Sequence, residues 1–99
     1  MKRVLLDLNH PTFQADWFGL PPTEASRVMD ALRKIGKLTW NQLYADRGIR
    51  WEMIKSKSAP DGHRRCSLRI GQKMRAIGFR DGDTLRLESL HPDHDSAYN

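Results

Sequence analysis

The chain has 99 residues, a net charge of +5 with histidine neutral, and one cysteine. So short a chain makes a single domain, residues 1–99, and buries too little for a deep enclosed cavity, so any chemistry belongs on an open face or in a shallow groove. No apolar run approaches the roughly 20 residues that cross a bilayer, Val4-Leu5-Leu6 is too short for a signal-peptide core, and the lone Cys66 has no internal partner; the expectation is a cytoplasmic protein with no membrane contact.

The charge is unevenly placed. Residues 1–46 are nearly balanced, with six Lys/Arg and five Asp/Glu. Residues 47–80 carry ten cations (Arg47, Arg50, Lys55, Lys57, Arg64, Arg65, Arg69, Lys73, Arg75, Arg80) against Glu52 and Asp61. Such a local excess attracts a polyanion, nucleic acid first among them, beyond what a merely solvated surface requires. Residues 81–99 are acidic, with Arg86 against five carboxylates.

Taken in order, Lys2 to Leu8 reads as a short strand of β-favouring residues. Asn9-His10-Pro11 then predicts a helix start, with Asn9 as cap and Pro11 in the first turn. Phe13, Trp17 and Leu20 fall on one face of that helix. Pro21-Pro22 turns the chain into a second helix, whose apolar stripe is Ala25, Val28, Met29, Leu32 and Ile35, stopped by Gly36. Thr39 can cap one more turn holding Trp40 and Leu43.

After Gly48 the period becomes two. Ile49, Trp51 and Met53 alternate with polar residues, then Cys66, Leu68 and Ile70 do so, and Lys55-Ser56-Lys57 reads as a basic loop between them. Met74 to Phe79 follows the turn Gly71-Gln72-Lys73. Asp81-Gly82 marks a hairpin turn, and Leu85, Leu87 and Ser89 alternate in a last strand. The expected fold is α+β: an N-terminal strand and a helical hairpin packed on one face of a three- to four-stranded antiparallel sheet. The basic residues should point from the other face. Trp17, Trp40 and Trp51 are read as packing residues and Cys66 as a small buried hydrophobe.

The run Cys66-Ser67-Leu68-Arg69-Ile70, then Met74-Arg75-Ala76-Ile77-Gly78-Phe79, Asp81-Gly82-Asp83, Leu85 to Leu90 and a polar tail ending at Tyr98 resembles the RelE/ParE toxin superfamily, and the element order resembles it along the whole chain. The resemblance implies the toxin of a toxin–antitoxin system, a ribosome-dependent messenger endoribonuclease that inhibits translation. It implies metal-independent attack of a ribose 2′-hydroxyl on the neighbouring phosphate, with no cofactor. It also implies a ribosome and messenger to act on, and an acidic, partly disordered antitoxin in a hetero-oligomer.

By the same resemblance Arg75, His91, His94 and Tyr98 are candidate catalytic residues. Arg69, Lys55, Lys57 and Arg65 are candidate phosphate ligands, and Glu52 is a possible general base. Guanidinium suits phosphate because it stays charged and binds two oxygens at once, and a histidine in the tail can move a proton near neutral pH. The pattern is departed from at Phe79, where members often end the strand in Tyr, and in the acidic tail, with Asp93 and Asp95 beside the histidines. Two further functions fit the same fold: a gyrase-directed toxin, and a non-catalytic module that docks RNA or an acidic protein. A metal at His91 and His94 is not expected, because Pro92 opposes the helix that would bring them together.

Overall fold

The computed structural model describes residues 2–58 and 62–92, with the side chains of 56–58 left aside. A strand β1 (Leu5–Asp7) leads into helices α1 (Pro11–Phe18), α2 (Pro22–Ile35) and α3 (Trp40–Ala45), and then into four strands, β2 (Glu52–Ser58), β3 (Arg64–Arg69), β4 (Arg75–Asp81) and β5 (Thr84–His91). The sheet has five strands in the order β1-β5-β4-β3-β2. All neighbours are antiparallel except β1, which runs parallel to β5 with Leu6 opposite Leu85. The N-terminal strand is thus the fifth member of the sheet, where three to four strands were expected. It pairs with the last strand, β5, at one edge, while the helices carry the chain across to β2 at the other.

The helices cover one face. Phe13, Val28, Leu32, Ile35 and Leu43 from the helical layer meet Cys66, Leu68, Ile70, Ala76, Leu85, Leu87 and Leu90 from the sheet in one buried cluster. Met29, expected in the α2 stripe, is exposed instead; it sits one position past Val28, at the margin of the buried arc. Ile54 and Ile77 form a second, smaller cluster.

Several ends are set locally. The cap of α1 is His10 rather than Asn9: the Thr12 N–H donates to His10 Nδ1 at 3.2 Å. Gly36 closes α2, as its position suggests. Thr39 and Gln42 form a reciprocal capping box on α3. Lys55 to Lys57 continue strand β2, so the basic stretch is strand where a loop was expected.

Two carboxylates tie loops to the frame. Asp46 Oδ1 accepts the Gly48 and Ile49 N–H groups at 2.9 Å each, and Lys34 lies 3.1 Å from Oδ2. Asp7 accepts from the Asn9 N–H and pairs with Arg86, which also reaches Asp81. The hydrogen bond from Ile49 N–H lowers the Asp46 carboxyl, and that from Asn9 N–H lowers Asp7, each below its ordinary value of 3.8. A lowered folded value means the stabilisation is present above 3.8 and is lost as the pH falls through the folded values. The melting temperature should therefore hold between about pH 7 and pH 5 and drop below about pH 4. Asp46→Asn should lower it at neutral pH and make the acid drop shallower; equal drops in both proteins would show that Asp46 is not its source.

The most consequential local feature is a β-bulge. Leu87 lies opposite Gly78 and Ser89 opposite Ile77, so Glu88 is the extra residue on β5. Strict alternation from Leu85 and Leu87 would turn Ser89 and His91 toward the helices. The extra residue shifts the phase by one, so Leu90 is the next buried residue and His91 takes the helix-free face.

Candidate functional site

Cross-strand partners share a face, so the register lays out the helix-free surface in rows. One row is Arg69, Arg75 and His91, directly opposite one another on β3, β4 and β5. The next is Glu52, Ser67, Ile77 and Ser89. The third is Arg65, Phe79 and Arg86.

In the first row all three side chains are half-buried. Arg69 donates to the carbonyls of Gly71 and Gln72 at 3.1 and 3.3 Å, and Arg75 to that of Met74 at 3.2 Å. Among the described residues neither guanidinium has an acid within ion-pair distance. Like charges facing each other across strands cost stability. His91 Nε2 lies 2.9 Å from Ser89 Oγ.

Arg65 differs. Its Nε and Nη2 grip both oxygens of Glu88 at 2.8 and 3.0 Å, and the bulge is what delivers Glu88 there. That carboxylate, by hydrogen bonding first and charge second, raises the guanidinium further. An RNA phosphate would have to compete with Glu88 for Arg65, as it would not for Arg69 or Arg75.

The remaining candidates are spread out. Lys55 is exposed on the edge strand β2, beyond Arg69 as counted from His91. Glu52 lies 3.6 Å from Arg50, and three inter-strand steps separate its strand from that of His91, roughly 14 Å at the usual strand spacing. The sheet does not bring Glu52 to the imidazole. The side chain of Lys57, and His94 and Tyr98 entirely, lie outside the described residues.

Two grooves meet at His91. The larger, about 390 Å³, lies beside the end of β5 and is lined by Leu20, Val28, Ile70, Met74 and Leu90 with Asp16, Glu24, Arg27 and Lys73 around them. Asp16 of α1 accepts the Leu90 N–H at 3.0 Å, satisfying the β5 edge where β1 has ended. The smaller, about 260 Å³, is lined by His10, Thr12, Arg65, Ile77, Glu88, Ser89 and His91.

His10, Ser89 and Glu88 are absent from the set read from the sequence. Only the dipeptide His10-Pro11 hints at the first, and its pattern is equally that of a helix start. Ser89 and Glu88 depend on the bulge, which strict alternation hides. Among the described residues no group of three or more His, Cys, Asp or Glu is placed to hold a metal. Cys66 is buried, and burial pushes its thiol far above the ordinary range, so it is no nucleophile.

A two-layer α+β unit with these five strands and a helical hairpin on one face is a RelE-like fold. The chain is similar to the archaeal RelE–RelB complex of Pyrococcus horikoshii OT3, with a TM-score of 0.61, 13% identity, and coverage of 91% of this chain and 92% of that one. It is also similar to a copper-bound mutant toxin from Helicobacter pylori, with a TM-score of 0.51, 21% identity, and coverage of 97% and 98%. No family model matches the sequence, and no curated protein does. At these identities the likeness is one of fold.

Proposed function

We propose that this chain is the toxin of a toxin–antitoxin pair and that it cleaves messenger RNA on the ribosome without a metal. The observation that carries the reading is the row Arg69, Arg75 and His91: two guanidiniums without an acid partner among the described residues, abreast of an imidazole on the helix-free face. In the reaction a ribose 2′-oxygen attacks the adjacent phosphorus, giving up its proton to a base. The bond from phosphorus to the 5′-oxygen breaks, and that oxygen takes a proton. The products are a 2′,3′-cyclic phosphate and a 5′-hydroxyl. Arg69 and Arg75 stabilise the extra charge on the phosphate oxygens, and His91 moves a proton. Lys55, exposed on the edge strand β2, adds a further cation for phosphate, and Arg65 could join only by exchanging Glu88 for the phosphate. By the resemblance His94 and Tyr98 would also take part in the chemistry; both lie outside the described residues.

The similarity to a RelE–RelB complex supports an antitoxin partner. A cation pair that repels itself suits an acidic segment that orders on binding and covers it in storage. Such a toxin acts where ribosomes are, in the cytoplasm.

Induced expression of the chain alone tests this. Growth arrest with cut messengers supports it; normal growth of a folded product contradicts it. Arrest with intact messengers and DNA damage would point instead to gyrase. Cleavage on programmed ribosomes at constant magnesium should be unchanged when the chain has first been stripped with EDTA and desalted; loss that added zinc restores would contradict the metal-free chemistry.

A further inference from the structure

We infer that His10 is a catalytic residue of the same groove, presenting a neutral Nε2–H to a non-bridging oxygen of the scissile phosphate. The inference rests on the reading of the chain as a ribonuclease and adds a residue from a different part of the fold.

The groove of about 260 Å³ is bounded on the sheet side by Ser89, His91, Ile77, Arg65 and Glu88 and on the helix side by His10 and Thr12. His10 also borders the adjoining groove formed by Asp7, Asn9, Phe79, Arg86, Leu87 and Glu88. Its ring is exposed and stands where α1 begins, at the positive end of that eight-residue helix.

The tautomer follows from the cap. A backbone N–H can only donate, so His10 Nδ1 must accept from Thr12 N–H. A neutral imidazole carries one proton, which is then on Nε2. The capped ring is therefore a hydrogen-bond donor. Serving as a base, or carrying a second proton, would place hydrogen on Nδ1 and break the cap. His10 thus suits the task of holding an oxygen as charge develops on it, while His91 across the groove moves the proton.

The other charges in the groove support this division. Arg65 and Glu88 neutralise each other inside it. Arg75 does not line the groove, but it stands directly opposite His91, which does, and among the described residues it has no acid within ion-pair distance. A phosphate seated against Arg75 and His91 at one wall would meet His10 from the other.

The test is nuclear magnetic resonance of the histidine rings in the intact chain, with adenosine 3′-monophosphate as probe and adenosine as control. The ring nitrogens of His10 should report the Nε2–H tautomer, and its signals should move with the monophosphate and stay still with adenosine. His10→Asn keeps a capping side chain, so its melting temperature should match the parent. Its affinity for the monophosphate should fall roughly tenfold, the scale of a hydrogen bond to a charged group. Movement of His91 signals with His10 unmoved would overturn the inference and leave the ribonuclease reading standing. No movement of either ring, together with intact messengers in expressing cells, would remove both.

Discussion

Arg75→Ala will abolish messenger cleavage and growth arrest without unfolding the protein. The expected loss is about 100-fold or more in rate, the scale of removing one preorganised group that stabilises transition-state charge. Stability should move the other way or not at all. Arg75 stands opposite Arg69 across β3 and β4, and its hydrogen bond is to the neighbouring carbonyl of Met74. Truncating it relieves a like-charge pair worth a few tenths of a kcal/mol and strands no buried acid. The check is a thermal melt beside a cleavage assay on the same preparation. A collapsed melt would make Arg75 structural, and full activity with a normal melt would remove it from the site.

Gly78→Ala will strongly destabilise the sheet, because Gly78 lies inside β4 with no room for a side chain. A Cβ there would lie 2.3 Å from the Arg86 carbonyl oxygen and 3.1 Å from Leu87 Cα. Both are backbone atoms, so nothing flexible can turn aside. The close approach is part of the bulge at Glu88, which allows Leu90 to be buried and His91 to stand beside Arg75. The expected cost is on the order of 3 kcal/mol, against a total stability of roughly 5–15 kcal/mol for a domain. In a domain of this size that lowers the melting temperature by roughly 10–20 °C. The variant that remains folded should also lose the ion pair of Arg65 with Glu88, because the bulge delivers that carboxylate. An unchanged melt would show that the strands separate easily at this point.

Most of the layered architecture was legible because burial writes a period into the chain. The stripe through Val28, Leu32 and Ile35 marked α2, Thr39 and Gly36 marked helix ends, and Cys66, Leu68 and Ile70 marked the buried side of β3. The pairing of β1 was not legible, since a short strand carries no record of which neighbour it joins or in which direction. Nor was the phase of β5. Leu85, Leu87 and Ser89 alternate in sequence, yet the chain buries Leu90, because an inserted residue is visible only against the partner strand. The cap of α1 was displaced by one residue: the carboxylate of Asp7 takes the Asn9 N–H, and His10 occupies the capping position.

The candidate site was legible in part for the same reason. Arg69 and Arg75 drew notice through the local excess of cations and through their resemblance to a strand pattern. Their standing in one row with His91 is a property of register. Glu52 shares the basic half of the sequence, but its strand β2 is the edge separated from β5 by β4 and β3, and closeness along a chain says nothing of that order. His10 is distant from His91 in sequence and reaches the same groove only through the turn that joins β1 to α1.

The chemistry at the cut ends of messenger RNA tests the account most directly. Messengers from cells expressing the chain should carry new 3′ ends closed as 2′,3′-cyclic phosphates, paired with 5′-hydroxyl fragments, and these should be absent when Arg75 is replaced. Fragments bearing 5′-phosphates, or messengers left whole while growth stops, would contradict it.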